Sequence, residues 1–153
     1  MSCVFRVSGR KLDVEQYKAS SKLEIVGSYV KGQPRYPKTQ PNGLKNKSSG
    51  FNISVSKKSF NDLRKQVRES IEFIQNNKIE LRKIMKLPGV ESGTLDFGID
   101  YRNVYAQFDY FPPELLILLG HLGIGLELSN YHIDGKLRKK KDDIISRVLK
   151  KSV

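Results

Sequence analysis

Leu95-Asp-Phe-Gly-Ile-Asp-Tyr101 alternates strictly: Leu95, Phe97, Ile99 and Tyr101 interleave with Asp96, Gly98 and Asp100. A period of two puts the apolar set on one face of a strand and the polar set on the other. Val104–Tyr110 alternates again, and Arg102-Asn103 between the two runs has the length of a hairpin turn. A half-buried antiparallel sheet is therefore the starting expectation.

Working outward, Pro112-Pro113 opens a helix that runs to about His121, because proline fits a first turn. Gly123 suits its C-cap. Ile124–Tyr131 returns as a strand with Leu126 and Leu128 facing in. Toward the N-terminus, Lys78–Met85 reads as a short helical piece ended by Pro88-Gly89, and Asn76-Asn77 separates it from a longer helix. Ser59 is expected to cap that longer helix with Asp62 as its capping-box partner, and Leu63, Val67, Ile71 and Ile74 form its apolar stripe. Phe51–Ser56, Lys22–Val30 and Val4–Ser8 read as strands, and Asp13 with Gln16 caps a short helix between the last two. Residues 31–50 hold Pro34, Pro37, Pro41, Gly32, Gly43 and Gly50, which deny the segment regular ladders. Residues 132–153 form a basic C-terminal tail, in which Leu137, Ile144, Ile145, Val148 and Leu149 give a weak helical stripe over Lys136–Lys151. The fold class that follows is α+β: one domain over residues 1–131, a mostly antiparallel twisted sheet with helices on one face, and a tail helix.

The chain has 153 residues, enough for one real core. Cys3 is its single cysteine, so no internal disulfide can form. The start, MSCVFRVSGRK, reads as a strand and not as an export signal, and no apolar run approaches a membrane span. A cytoplasmic protein is the expectation.

The formal charge of +12 is segregated. No acid occurs between Glu24 and Asp62, where Lys31, Arg35, Lys38, Lys45, Lys47, Lys57 and Lys58 lie. Between Glu91 and Tyr131 six carboxylates face the single base Arg102. Such a field steers charged partners.

Two stretches resemble a known family. One is Phe5-Arg6-Val7-Ser8-Gly9 followed by Leu12-Asp13-Val14-Glu15. The other runs from Phe111-Pro-Pro-Glu-Leu-Leu to Gly-Leu-Glu-Leu-Ser-Asn-Tyr131. Together they are similar to a family of small bacterial α+β proteins known only as a domain of unknown function. The resemblance covers about residues 4–131 and leaves the tail outside. It implies a single α+β domain and carries no catalytic residue or cofactor. In size and layout such proteins are analogous to bacterial toxin-immunity proteins.

Catalytic patterns are sparse. His121 and His132 are the only histidines, too few for a zinc site with credible spacing. There is no nucleophile elbow and no phosphate-binding glycine loop. No cofactor and no metal are expected. One acidic constellation remains: Asp96, Asp100, Asp109 and Glu127 sit at the polar positions of three expected strands. On one sheet face they would hold Mg²⁺ or Mn²⁺ for phosphodiester hydrolysis, or form the solvated side of a sheet. The basic segment interleaves Lys31, Arg35 and Lys38 with Tyr36 and continues to Lys45 and Lys47. Lysine and arginine neutralise anions and tyrosine stacks on bases.

Three functions are ranked on these grounds. The first is a non-enzymatic bacterial binding protein, of the immunity type, that occludes a toxin's active site. The overall charge favours capping an acidic partner through the basic segment over mimicry of phosphate by the carboxylates. The second is a nucleic-acid-binding module that uses residues 31–47 and the tail. The third is a metal-dependent hydrolase on the acidic face.

Overall fold

The computed structural model describes residues 2–102 and 104–132. The expected tail helix lies outside the described residues. The elements are β1 (Cys3–Gly9), α1 (Val14–Ser20), β2 (Ile25–Tyr29), β3 (Ser49–Ser56), α2 (Leu63–Asn76), α3 (Lys78–Met85), β4 (Ser92–Asp100), α4 (Pro113–Leu122) and β5 (Gly125–Tyr131). The five strands form one sheet in the order β2-β3-β1-β4-β5. All neighbours pair antiparallel except β4 and β5. The domain is α+β, with its helices against one face of a mostly antiparallel sheet.

Alternation sets that face. Cys3, Phe5 and Val7 of β1 are buried, and they lie in register with Ile53 and Phe51 of β3 and with Phe97 and Leu95 of β4. Val67 and Ile74 of α2, Leu81 and Ile84 of α3, and Leu115 and Leu119 of α4 close over them. From α1, Tyr17 stacks on Phe51 with ring centroids 4.4 Å apart. Each such aromatic or aliphatic side chain contributes roughly 1.5–3 kcal/mol when fully buried.

The helix boundaries follow from their caps. The Asp13 carboxylate accepts from Gln16 N–H at 3.0 Å. At α2 the cap is Asp62 rather than Ser59: Asp62 Oδ1 accepts from Lys65 N–H at 3.2 Å. Three residues separate the two candidates, and the donor of the first free turn reaches only the later one. Lys65 also holds the Asp62 carboxyl below its usual range by a side-chain hydrogen bond. Gly123 ends α4 in the left-handed region at φ 67°, where glycine has no Cβ penalty, and Ile124 N–H returns to the Leu119 carbonyl at 3.0 Å.

The expected strand over residues 104–110 does not form. Residues 104–110, with 101, 102, 111 and 112, are a loop. Gln107 replaces the ladder with side-chain bonds: its Oε1 accepts from Arg102 N–H at 3.0 Å, and its Nε2 donates to Asp109 at 2.9 Å. The Arg102 guanidinium donates to Asp109 at 2.7 Å and to the Phe108 carbonyl at 3.2 Å. Side chains that bond the local backbone compete with a sheet ladder. With that strand gone, α4 becomes the single crossover between β4 and β5, which is why this pair runs parallel. Leu126 was expected to face in; on this edge strand it is 36% exposed.

Cys3 is fully buried, and burial pushes its thiol pKa up to about 12. A raised thiol pKa keeps the group protonated and unreactive throughout the neutral range. Cys3 should therefore resist a disulfide-exchange reagent at pH 8 in the native state. It should label at least about 100-fold faster in urea, since access requires opening of the core. Equal labelling rates would place Cys3 outside the core.

Candidate functional site

Residues 30–48 connect β2 to β3 as an ordered arm. Gly32 N–H donates to the Asn46 carbonyl at 2.9 Å, Asn46 N–H to Gln33 at 2.8 Å, and Arg35 N–H to Leu44 at 2.8 Å. Pro34 and Lys45 form an antiparallel bridge. The prolines thus permit a short ladder, against expectation, because Pro34 lies between the bonded positions and its missing N–H costs nothing there. The tip closes where the Tyr36 carbonyl accepts from Gln40 N–H at 2.7 Å. At the base, Lys31 N–H donates to Ser49 Oγ at 3.1 Å.

Lys31, Arg35, Tyr36, Lys38, Lys45 and Lys47 are all exposed on this arm. Among the described residues none of its five cations forms an ion pair. Lys31 is near enough to Glu91 to act on it at range, but the Arg10 guanidinium is the main reason the Glu91 carboxyl sits below its usual value. Backbone hydrogen bonds therefore hold a dense, uncompensated positive field in place.

The acidic residues behave differently. Asp96 and Glu127 are register partners across β4 and β5, so these two do share the helix-free face. Arg6 of β1 reaches both: it pairs with the Asp96 carboxylate and lies 3.6 Å from Glu127. Ser129 Oγ donates to Asp96 at 2.7 Å. Asp109 is not on the sheet, because its strand is absent; Arg102 holds it in the loop. Asp100 ends β4 beside that loop. The constellation of four read from the sequence is therefore divided. Among the described residues no group of three His, Cys, Asp or Glu side chains is placed to hold a metal ion.

One surface was missed by reading 104–110 as a strand. Tyr105, Phe108 and Tyr110 project from the loop as exposed aromatics. The loop and the start of α2 enclose an open crevice of about 520 Å³, lined by Phe60, Asp62, Arg64, Asp100, Arg102 and Phe108 among others. The available signal was Gln107 and Asp109 flanking Phe108, polar side chains able to bond locally. The basic arm leaves the sheet where Gly9, Ser49 and Ser92 meet, whereas the aromatic loop and Tyr131 lie at the Cys3 end. The two surfaces face away from each other along the strands.

A five-stranded, mostly antiparallel sheet with four helices against it and an ordered basic arm between β2 and β3 defines the class of fold, a single α+β domain. The chain matches the domain of unknown function DUF4279 over residues 1–132 and belongs to that family. No curated protein and no solved structure matches it. Among the described residues no helix is long and apolar enough to cross a membrane.

Proposed function

We propose that this chain acts by binding, as a bacterial immunity-type protein whose arm docks on an acidic protein partner such as a toxin and covers its active site. The observation that supports it is the arm itself: five exposed cations on a backbone-ordered hairpin, with no ion pair among the described residues. Ordering such like charges gains the fold nothing and prepares a complementary surface. The free Cys3 thiol suits a reducing cytoplasm, where we place the protein. A nucleic-acid partner is the second reading, supported by Tyr36, exposed near the arm's tip between Arg35 and Lys38. The hydrolase reading has less support, since Arg6 and Ser129 occupy the oxygens a metal would need.

Changing Lys31, Arg35 and Lys38 together to Glu tests the reading. The melting temperature should move by no more than about 2 °C, because exposed substitutions away from structural contacts stay near neutral. Association with a partner recovered by affinity capture should slow by at least about 10-fold at low salt, as steering acts on the on-rate. If that partner is lost on nuclease treatment, the nucleic-acid reading replaces the protein one. Intact binding of the triple variant to every recovered partner removes the arm from the interface.

A further inference from the structure

We propose that the aromatic loop after β4 rests on an anionic lipid surface, held there by its exposed rings and by the basic sequence that follows β5.

The rings supply the apolar half of the contact. Tyr105 is fully exposed, Phe108 is 86% exposed and Tyr110 is 75% exposed. Side-chain bonds among Arg102, Gln107 and Asp109 brace the loop that carries them. Apolar side chains stabilise a fold by being buried, so three exposed rings on one braced loop contribute little to folding and mark a contact surface. Tyrosine and phenylalanine suit the boundary between lipid headgroups and acyl chains, where the ring is buried and a hydroxyl stays wet.

Charge selects the partner. Tyr101 N–H donates to the Tyr131 carbonyl at 2.8 Å, and the His132 ring lies 4.5 Å from that of Tyr101. The chain therefore continues from beside the loop. Lys136 follows four residues later, within about 14 Å of His132 at full extension. It opens a run in which Lys136, Arg138, Lys139, Lys140 and Lys141 are interrupted only by Leu137. Such a cluster is drawn to anionic headgroups. The sequence beyond it adds the apolar positions Ile144, Ile145, Val148 and Leu149, the pattern of a basic segment that lies on a membrane. Rings alone would suit any apolar partner, and bases alone any polyanion. The two together at one end of the molecule fit a surface that is anionic outside and apolar about 5–10 Å deeper.

The acids around the loop do not oppose this approach. Asp109 is paired with Arg102, and Asp62 with Lys65. The other two, Asp100 and Glu114, are outweighed by residues 132–153, which carry eight bases and three acids. The basic arm stays clear. It leaves the sheet where Gly9, Ser49 and Ser92 meet, at the opposite end of β4. β4 has 9 residues, and at about 3.3 Å per step it sets the arm's base about 26 Å from the loop, several Debye lengths at physiological salt. Lipid contact therefore goes beyond the proposed partner binding and does not depend on it.

Sedimentation with sucrose-loaded vesicles tests this on the full chain. Vesicles of mixed phosphatidylglycerol and phosphatidylcholine should bind it at least about 10-fold more strongly than phosphatidylcholine alone. Tyr105→Ser combined with Phe108→Ser should weaken that binding at least about 10-fold. The far-ultraviolet circular dichroism should not change, because both side chains are exposed. Changing Lys31, Arg35 and Lys38 to Glu should leave vesicle binding within about 3-fold, since the arm lies beyond screening range. The chain has no tryptophan, so Phe108→Trp supplies a single probe and decides the matter if the double variant misfolds. Its emission should shift to the blue, and be quenched by brominated lipid, on the anionic vesicles only. Equal binding to both kinds of vesicle, undiminished binding by the folded double variant, an arm variant that loses as much as the loop variant, or an unshifted and unquenched tryptophan would each overturn the proposal. So would retention on a DNA duplex at a concentration where the anionic vesicles bind nothing.

Discussion

Gly9→Ala should destabilise the fold by about 3 kcal/mol and lower the melting temperature by about 10 °C, at the upper end of overpacking effects. A Cβ on Gly9 would overlap the Gly89 carbonyl oxygen and stand 2.9 Å from the Gly89 carbonyl carbon and 3.1 Å from Glu91 N. These are backbone atoms and no flexible side chain can swing away. Gly89 is itself in the left-handed region at φ 84°, and a Cβ there would lie 2.7 Å from Leu12 N. Two turns, one leading into α1 and one into β4, thus close on each other through glycine alone. Gly120→Ala is the control: its Cβ would meet nothing within 4 Å and sits in α4. It should stabilise by about 0.5–1 kcal/mol, since alanine loses less backbone freedom in a helix. Thermal unfolding of both variants checks the pair. A Gly9→Ala protein that melts with the unmodified chain would mean that the two turns do not touch.

Arg6→Ala should cost about 2–4 kcal/mol, because it strands a buried carboxylate. Asp96 is 2% exposed, and besides Ser129 its partner is Arg6, whose side chain is 40% exposed. The upper end is discounted, since water reaches the guanidinium and screens part of the pair. Adding Asp96→Asn to Arg6→Ala should recover most of the loss, because a neutral amide is far cheaper to bury than a charge. Urea unfolding of the two single variants and the double variant measures the coupling. Additive losses in that cycle would show that Arg6 acts by packing and not by its charge.

The elements were legible wherever one local rule decided them. The alternation over residues 95–100, the break at Asn77, the Asp13 cap and the Gly123 cap all lie within a few residues of what they fix. Residues 104–110 were not legible, because their alternation is real yet both sides of β4 are already taken by β1 and β5. Competition for a sheet edge is a property of the whole topology. The acidic constellation is divided for the same reason: without that strand Asp109 lies in a loop, held by Arg102, while Asp96 and Glu127 share Arg6. The cationic arm was legible in composition, but its order was not, since the pairing of Gln33 with Asn46 depends on β2 and β3 being aligned beneath it. The aromatic surface came into view only once the expected strand proved to be a loop.

The central position of β1 has a consequence for synthesis. β1 comes before every other described strand, yet its partner β4 lies more than eighty residues downstream, with Val7 set against Gly93. At about 5–20 residues per second, a ribosome takes on the order of 5–20 s to deliver that partner. In the interval β3 can dock on one edge of β1, while the edge that later receives β4 has no partner strand. The middle of the sheet therefore closes only after residue 100 has been synthesised, and its β5 edge only after Tyr131.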